Sequence, residues 1–192
     1  MAKFELTFPP DEREYLKKWY GNASMILEYG SGGSTVFGAC ETDATLLSIE
    51  SDKAWTDELN SVLAEKGVDP VRARTEWVDI GATKKWGYPR DHTHWRDFPD
   101  YVLKPWEEGF APDLVLIDGR FRRACFAATL IMCENDTTVL FDDYSSRKTY
   151  QQVEALIKPV EIVGRMARFE VSPGLDIGRH FPMIVRWFFK LN

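Results

Sequence analysis

The feature that most limits what this chain can fold into is a recurring unit. A short apolar run ends in a carboxylate and hands over to a helical pattern. Met25–Leu27 leads into Glu28, Thr45–Ile49 into Glu50, Asp113–Ile117 into Asp118, and Thr137–Phe141 into Asp142 and Asp143. Brief, nearly continuous apolar runs alternating with helices specify a parallel sheet covered on both faces. Ligands of such sheets bind beyond the C-terminal strand ends, where the order of strands reverses. One acid at a strand end usually caps the next turn or helix; acids at four ends of one rim point to a polar site.

The expected elements come in order. A helix opens at Pro9-Pro10-Asp11 and runs over residues 10–21, with acids in its first turn and Lys17 and Lys18 in its last, as the macrodipole prefers. Ser24–Glu28 is the first strand, followed by a helix from Ser34 to about Cys40. Thr45–Glu50 is the second strand; Ser51 or Asp52 caps the next helix, whose apolar face is Trp55, Leu59, Val62 and Leu63. Val71–Trp77 is the third strand. Residues 79–112 read as a loop insertion near the site, holding one short helix over Pro99–Leu103 that stops near Pro105. A helix over Phe121–Met132 comes after the fourth strand, with Phe121, Cys125, Ala128, Thr129 and Met132 on its inner side. Another helix, capped by Ser145 or Ser146 and reaching about Ile157, comes after the fifth. Val160–Val163 and Ala167–Val171 flank Gly164-Arg165 as a hairpin, and a last helix starts at Phe181. The fold class is α/β: a doubly wound, mostly parallel seven-stranded Rossmann-like sheet with an antiparallel terminal hairpin. Its 192 residues suit a single domain over 1–192.

Composition narrows the partners. A net charge of −6 argues against nucleic acid as the main partner, because basic stripes dominate such proteins. No apolar run approaches the roughly 18 residues of a membrane span, and residues 1–20 lack a secretory pattern. Cys40, Cys125 and Cys133 fit no zinc spacing and read as reduced, mostly buried thiols, which points to the cytoplasm.

The first strand ends in Glu28-Tyr29-Gly30-Ser31-Gly32-Gly33-Ser34. A glycine turn at a helix N-terminus brings backbone amides close to a ligand. Nucleotides, dinucleotides and S-adenosylmethionine all use such turns. A dinucleotide fingerprint, G-x-G-x-x-G, needs glycine at position 35, where Thr35 stands, so an NAD(P)-dependent dehydrogenase is disfavoured. Glu50 lies about 20 residues beyond the turn, where a carboxylate can take both ribose hydroxyls. Its other role is to cap the helix. Glu28 can hold the turn amides or the ammonium of an amino-acid ligand.

These residues resemble motif I of the class I S-adenosylmethionine-dependent methyltransferases, an acid followed by spaced glycines. Glu50 is similar to their strand-2 acid, and the hairpin to their antiparallel last strand. Ser34 departs from the third glycine. The resemblance covers residues 10–171 and implies a donor cradle of Glu28, Gly30, Ser31, Gly32, Gly33 and Ser34 for the methionine part. Glu50 would take the ribose and Asp79 the adenine, unless Asp79 caps its own loop. At strands 4 and 5, Asp118 and Asp142-Asp143 are similar to the catechol O-methyltransferase-like group, in which such residues hold a divalent cation. Clustered carboxylates repel, and Mg²⁺ among Asp118, Asp142 and Asp143 would relieve that. Without a metal, Asp118 or Asp142 is the candidate general base. The competing reading has Asp142 or Asp143 capping the following helix and Asp118 bonding the Arg120 or Arg122 region.

The implied function is methyl transfer from S-adenosylmethionine to a small-molecule acceptor, at oxygen. No Asn-Pro-Pro-Tyr segment of the amino-methylating kind comes after strand 4. A catalytically inactive methyltransferase-like module that binds a nucleoside is the alternative. Trp86, Tyr88, His92, His94 and Trp95 either line a substrate pocket or are solvated. Arg120, Arg122 and Arg123 either grip an anionic substrate or are solvated. No nucleic acid and no membrane is expected as partner, and a homodimer stays open because the 79–112 loop could serve an interface.

Overall fold

The computed structural model describes residues 4–190. Along the chain they form α1 (Pro10–Tyr20), β1 (Met25–Tyr29), α2 (Gly33–Glu41), β2 (Thr45–Glu50), α3 (Lys53–Glu65), β3 (Ala73–Trp77), β4 (Thr83–Lys84) and β5 (Tyr88–Pro89). Then come α4 (Phe98–Glu107), β6 (Leu114–Ile117), α5 (Arg122–Met132), β7 (Thr137–Phe141), β8 (Glu161–Val163), β9 (Met166–Val171) and α6 (Phe181–Phe188). One seven-stranded sheet has the order β3-β2-β1-β6-β7-β9-β8, parallel through β7, with β9 antiparallel to both β7 and β8. β4 and β5 form a separate two-residue ribbon.

The apolar runs alternate between faces as the pleat dictates. Leu27, Tyr29, Leu47, Ile49, Val115, Ile117, Val139 and Phe141 face one cluster, which also contains residues of α4, α5 and α6. Ile26, Leu46, Leu114, Leu116 and Leu140 face the other, with residues of α1, α2 and α3. Strand order reverses between β1 and β6, and the helices after them, α2 and α5, lie on opposite faces. That is the switch point where the fold places its ligands.

Glu28 also faces the α1–α2 side, and it is fully buried. Tyr20 donates to its Oε1 at 2.7 Å and Thr35 to its Oε2 at 2.5 Å. Thr35 Oγ1 in turn accepts the Gly32 amide at 2.9 Å. The first-strand acid is therefore a structural group that ties α1 and the glycine turn to β1. The same bonds explain Thr35: the hydroxyl that rules out a dinucleotide fingerprint completes the turn.

Several expectations change. α4 does not stop near Pro105 but continues through it to Glu107, because a proline in the last turn sacrifices only one hydrogen bond. The helix expected after Ser145 or Ser146 does not form. Those hydroxyls bond the Gly164 and Asp143 carbonyls instead of capping amides, and only a 3₁₀ segment, Tyr150–Ala155, is present there. α5 is buried nearly all round over Arg122–Leu130, whereas Met132, expected inside, is 40% exposed. Cys125 and Cys133 are buried as expected, but Cys40 is exposed. No helix among the described residues is long and apolar enough to cross a membrane.

Burial holds the Glu28 carboxyl above its usual 4.5, against the Thr35 and Tyr20 bonds that pull it down. A raised carboxyl binds its proton more tightly folded than unfolded. Its contribution to stability is therefore full below its ordinary pKa and is lost as pH rises through the folded value. Tyr20→Phe removes one donor to the charged form. The expected loss in urea denaturation is about 1–3 kcal/mol, larger at pH 8 than at pH 5. An equal loss at both pH values would contradict the assignment.

Candidate active site

At the end of β1 the chain turns at Gly30, whose φ of +96° lies in the left-handed region that favours glycine. A Cβ there would come within 2.6 Å of the Gly119 backbone, so the loops after β1 and β6 touch at the switch point. Tyr101 of α4 rises beneath them. Its hydroxyl donates to the Ile49 carbonyl at 3.2 Å and accepts the Arg120 amide at 3.3 Å.

Glu50 sits at the end of β2, half-buried. Its Oε1 accepts the amides of Ser51 at 2.7 Å and Asp52 at 3.1 Å, and its Oε2 accepts the Ser31 amide at 3.3 Å and hydroxyl at 3.2 Å. The strand-2 acid and the glycine turn therefore meet directly. α3 is capped by Asp52, which accepts from Trp55 N at 3.1 Å. Among the described residues the Gly33 and Ser34 amides, at the N-terminus of α2, donate to no acceptor. A side chain on Gly32 would meet only the Trp55 ring edge, at 3.9 Å. Free amides, an open approach over Gly32 and an acid with long, exchangeable bonds to Ser31 suit the methionyl and ribose parts of the donor. The exception is Gly33, where a Cβ would overlap the Glu5 carbonyl because the N-terminal segment crosses there. Asp79 is exposed and accepts the Gly81 amide at 2.9 Å, which is the loop-cap role.

The acids of β6 and β7 meet guanidinium groups. Arg122 Nη2 lies 2.9 Å from Asp118. Arg122 also donates to the Gly119 carbonyl at 3.0 Å and the Asp142 carbonyl at 2.8 Å, stitching the two loops together. Arg165 holds both oxygens of Asp142 at 3.1 and 3.3 Å, and Arg147 lies 3.1 Å from Asp143. The divalent cation expected among Asp118, Asp142 and Asp143 does not fit this donor set. Arg122, Arg165 and Arg147 already supply the positive charge a cation would bring. No group of three or more potential ligands is arranged to hold a metal among the described residues.

Asp118 is the most exposed of the three acids. Its side chain is 37% open to solvent at the C-terminal rim of the sheet. Dense packing around the carboxylate, and the charges of Asp142 and Asp143, outweigh Arg122 and push its pKa up to about 7. Asp142, 3% exposed, is locked by Arg165.

Two of the arginines after β6 are not solvated: Arg122 and Arg123 are 4% and 2% exposed. Tyr88 enters the site, with Arg120 over its ring at 3.8 Å. Trp86, His92, His94 and Trp95 stay largely exposed, and His94 bonds Asp97 at 3.1 Å. Sequence reasoning missed Arg165 and Tyr101, which arrive from distant segments, and Arg147, which stands four residues after Asp143. The alternative reading, in which Asp118 bonds the Arg120 or Arg122 region, is the one present: Asp118 and Arg122 are spaced i,i+4 across a helix start.

A methyltransferase-like protein from Silicibacter pomeroyi is 40% identical in sequence, with a TM-score of 0.92 over 99% of this chain and 100% of that one. The chain belongs to the methyltransferase-like family. More distant solved structures share the fold. A methyltransferase from Geobacter sulfurreducens, 9% identical, covers 86% of this chain and 80% of its own at a TM-score of 0.57. An RNA methyltransferase from Salinibacter ruber, in complex with S-adenosyl-L-homocysteine, is 14% identical and covers 87% of this chain and 94% of its own at 0.50. No family model matches the sequence, and no curated protein does.

The raised Asp118 has a sign that can be tested. Its proton is held up to about 7 in the fold against an ordinary 3.8. Wild-type stability should therefore fall, through this group, as pH rises from about 4 to about 7. Asp118→Asn removes that component. Melting temperatures across pH 4–8 should show the wild-type curve dropping relative to the variant over this window. Parallel curves would refute the shift.

Proposed function

We propose that this methyltransferase-like chain transfers a methyl group from S-adenosylmethionine to an oxygen of a small-molecule acceptor. The observation that carries the reading is the direct meeting of Glu50 with Ser31 at the switch point, which joins the strand-2 acid to the glycine turn. The Gly33 and Ser34 amides would take the donor's carboxylate. Glu50 would exchange its long bonds to Ser31 for the ribose hydroxyls. The bound donor supplies an electrophilic methyl on its sulfonium. The protein's own work is to place the acceptor oxygen in line and to remove its proton. Asp118 suits the second task, since a carboxylate with a pKa of about 7 can accept a proton near neutrality. Asp142, held by Arg165, keeps Asp118 raised and is a positioning residue.

A second reading has its own support. The N-terminal segment over Gly33 and the contact of Gly30 with Gly119 narrow the cradle, as in a methyltransferase-like module that binds a nucleoside without turnover. Calorimetry with S-adenosylmethionine separates the readings. The enzyme requires measurable binding that Glu50→Gln weakens about 10–100-fold, equivalent to roughly 1.4–2.7 kcal/mol. Binding without product across phenols, hydroxy acids and sugars would favour the second reading, and absence of binding would end the first.

A further inference from the structure

Charge around these acids does not balance. Asp118 pairs with Arg122, Asp142 with Arg165, and Asp143 with Arg147. Arg120 is left over. Among the described residues it faces no carboxylate within ion-pair distance, and its buried Nε has no hydrogen-bond partner. Four guanidinium groups against three carboxylates leave this part of the rim cationic, in a chain whose net charge is −6.

The surroundings hold Arg120 in place. Its guanidinium stacks on the Tyr88 ring at 3.8 Å. The Tyr88 hydroxyl lies against both Arg120 and Arg147. Burial of the ring pushes its pKa up, yet the two cations leave it below the usual phenol value. Backbone strain is concentrated here as well. The three non-glycine residues with left-handed φ among those described are Trp86 at +66°, Phe121 at +50° and Asp143 at +59°. Trp86 lies two positions before Tyr88, Phe121 separates Arg120 from Arg122, and Asp143 is the partner of Arg147. Bulky residues adopt this conformation only when the surroundings impose it, and such strain gathers at ligand clamps.

We propose that Arg120, with Arg147 and Tyr88, binds an oxyanion of the acceptor, so that the substrate is a small hydroxylated molecule bearing a carboxylate or a phosphate ester. The oxyanion takes the Arg120 guanidinium, whose Nε has no partner, and the acceptor hydroxyl is presented to Asp118. This rests on the methyl-transfer reading for the word acceptor, but the oxyanion site itself does not require a donor.

The test is therefore made without S-adenosylmethionine. Thermal shift and calorimetry are run with inorganic phosphate and with benzoate, against sodium chloride at equal ionic strength. At least one oxyanion should raise the melting temperature beyond the chloride control. Arg120→Gln should weaken that affinity at least tenfold. Tyr88→Phe, which keeps the ring and removes the hydroxyl, should weaken it several-fold without unfolding risk. Arg96→Gln, an exposed arginine stacked on Trp95, should leave it unchanged. A response to phosphate alone would assign a phosphate ester, and to benzoate alone a carboxylate. Shifts no larger than chloride's, or equal affinity in Arg120→Gln and wild type, would overturn the proposal. Oxyanion binding with no S-adenosylmethionine binding would keep this site and discard methyl transfer; the reverse outcome would do the opposite.

Discussion

The rest of the structure depends on a carboxylate that never meets solvent. Glu28 takes one hydrogen bond from α1 and one from α2, and through Thr35 it fixes the Gly32 amide. Burying a charge is costly unless it is closely hydrogen-bonded, so the three elements are held in one arrangement or the acid is left uncompensated. The glycine turn owes its shape to this chain of bonds. Gly30 supplies the reversal and Thr35 the anchor, leaving the α2 amides pointing outward over the rim.

The same physics recurs across the sheet with the charges reversed. Three acids at the ends of β6 and β7 would repel one another, and related folds can relieve such clusters with a metal. Here Arg122, Arg147 and Arg165 are threaded in from three separate segments. Because Arg122 also holds the carbonyls of Gly119 and Asp142, the ion pairs serve as struts between loops. The rim keeps one carboxylate, Asp118, that is close to sharing its proton with water at neutral pH.

Much of this was legible in the sequence. Apolar runs ending in Glu28, Glu50, Asp118 and Asp142 marked four strands and their shared rim, because burial on both faces leaves a strong one-dimensional signature. Spacing put Glu50 at the end of the second strand, but not its bonds to Ser31. What was hidden was long-range pairing. Nothing near Asp142 or Asp143 in sequence announces Arg165, which arrives on the turn between β8 and β9. Nothing near Glu28 announces Tyr20's hydroxyl. Arg122 and Arg123 carry full charges, so composition assigns them to solvent, yet partners elsewhere in the chain allow their burial. The missing helix after Asp143 has a similar cause: Ser145 and Ser146 satisfy carbonyls of other loops, a demand that local propensity does not register.

α1 has a second role beyond Tyr20. Its buried Glu12 accepts the Arg165 amide at 3.0 Å, across 153 residues of sequence, and so anchors the turn that presents Arg165 to Asp142. The first helix thus holds both halves of the rim, one through Glu28 and the other through Glu12. Closing so long a loop is slow relative to forming local contacts. During synthesis the early β-α units can assemble as they emerge. The Arg165–Asp142 pair, however, needs both the hairpin and α1, whereas Arg122 and Arg147 reach Asp118 and Asp143 from four residues away. A chain shortened before Arg165 would therefore keep the glycine turn and lose the cation that holds Asp142.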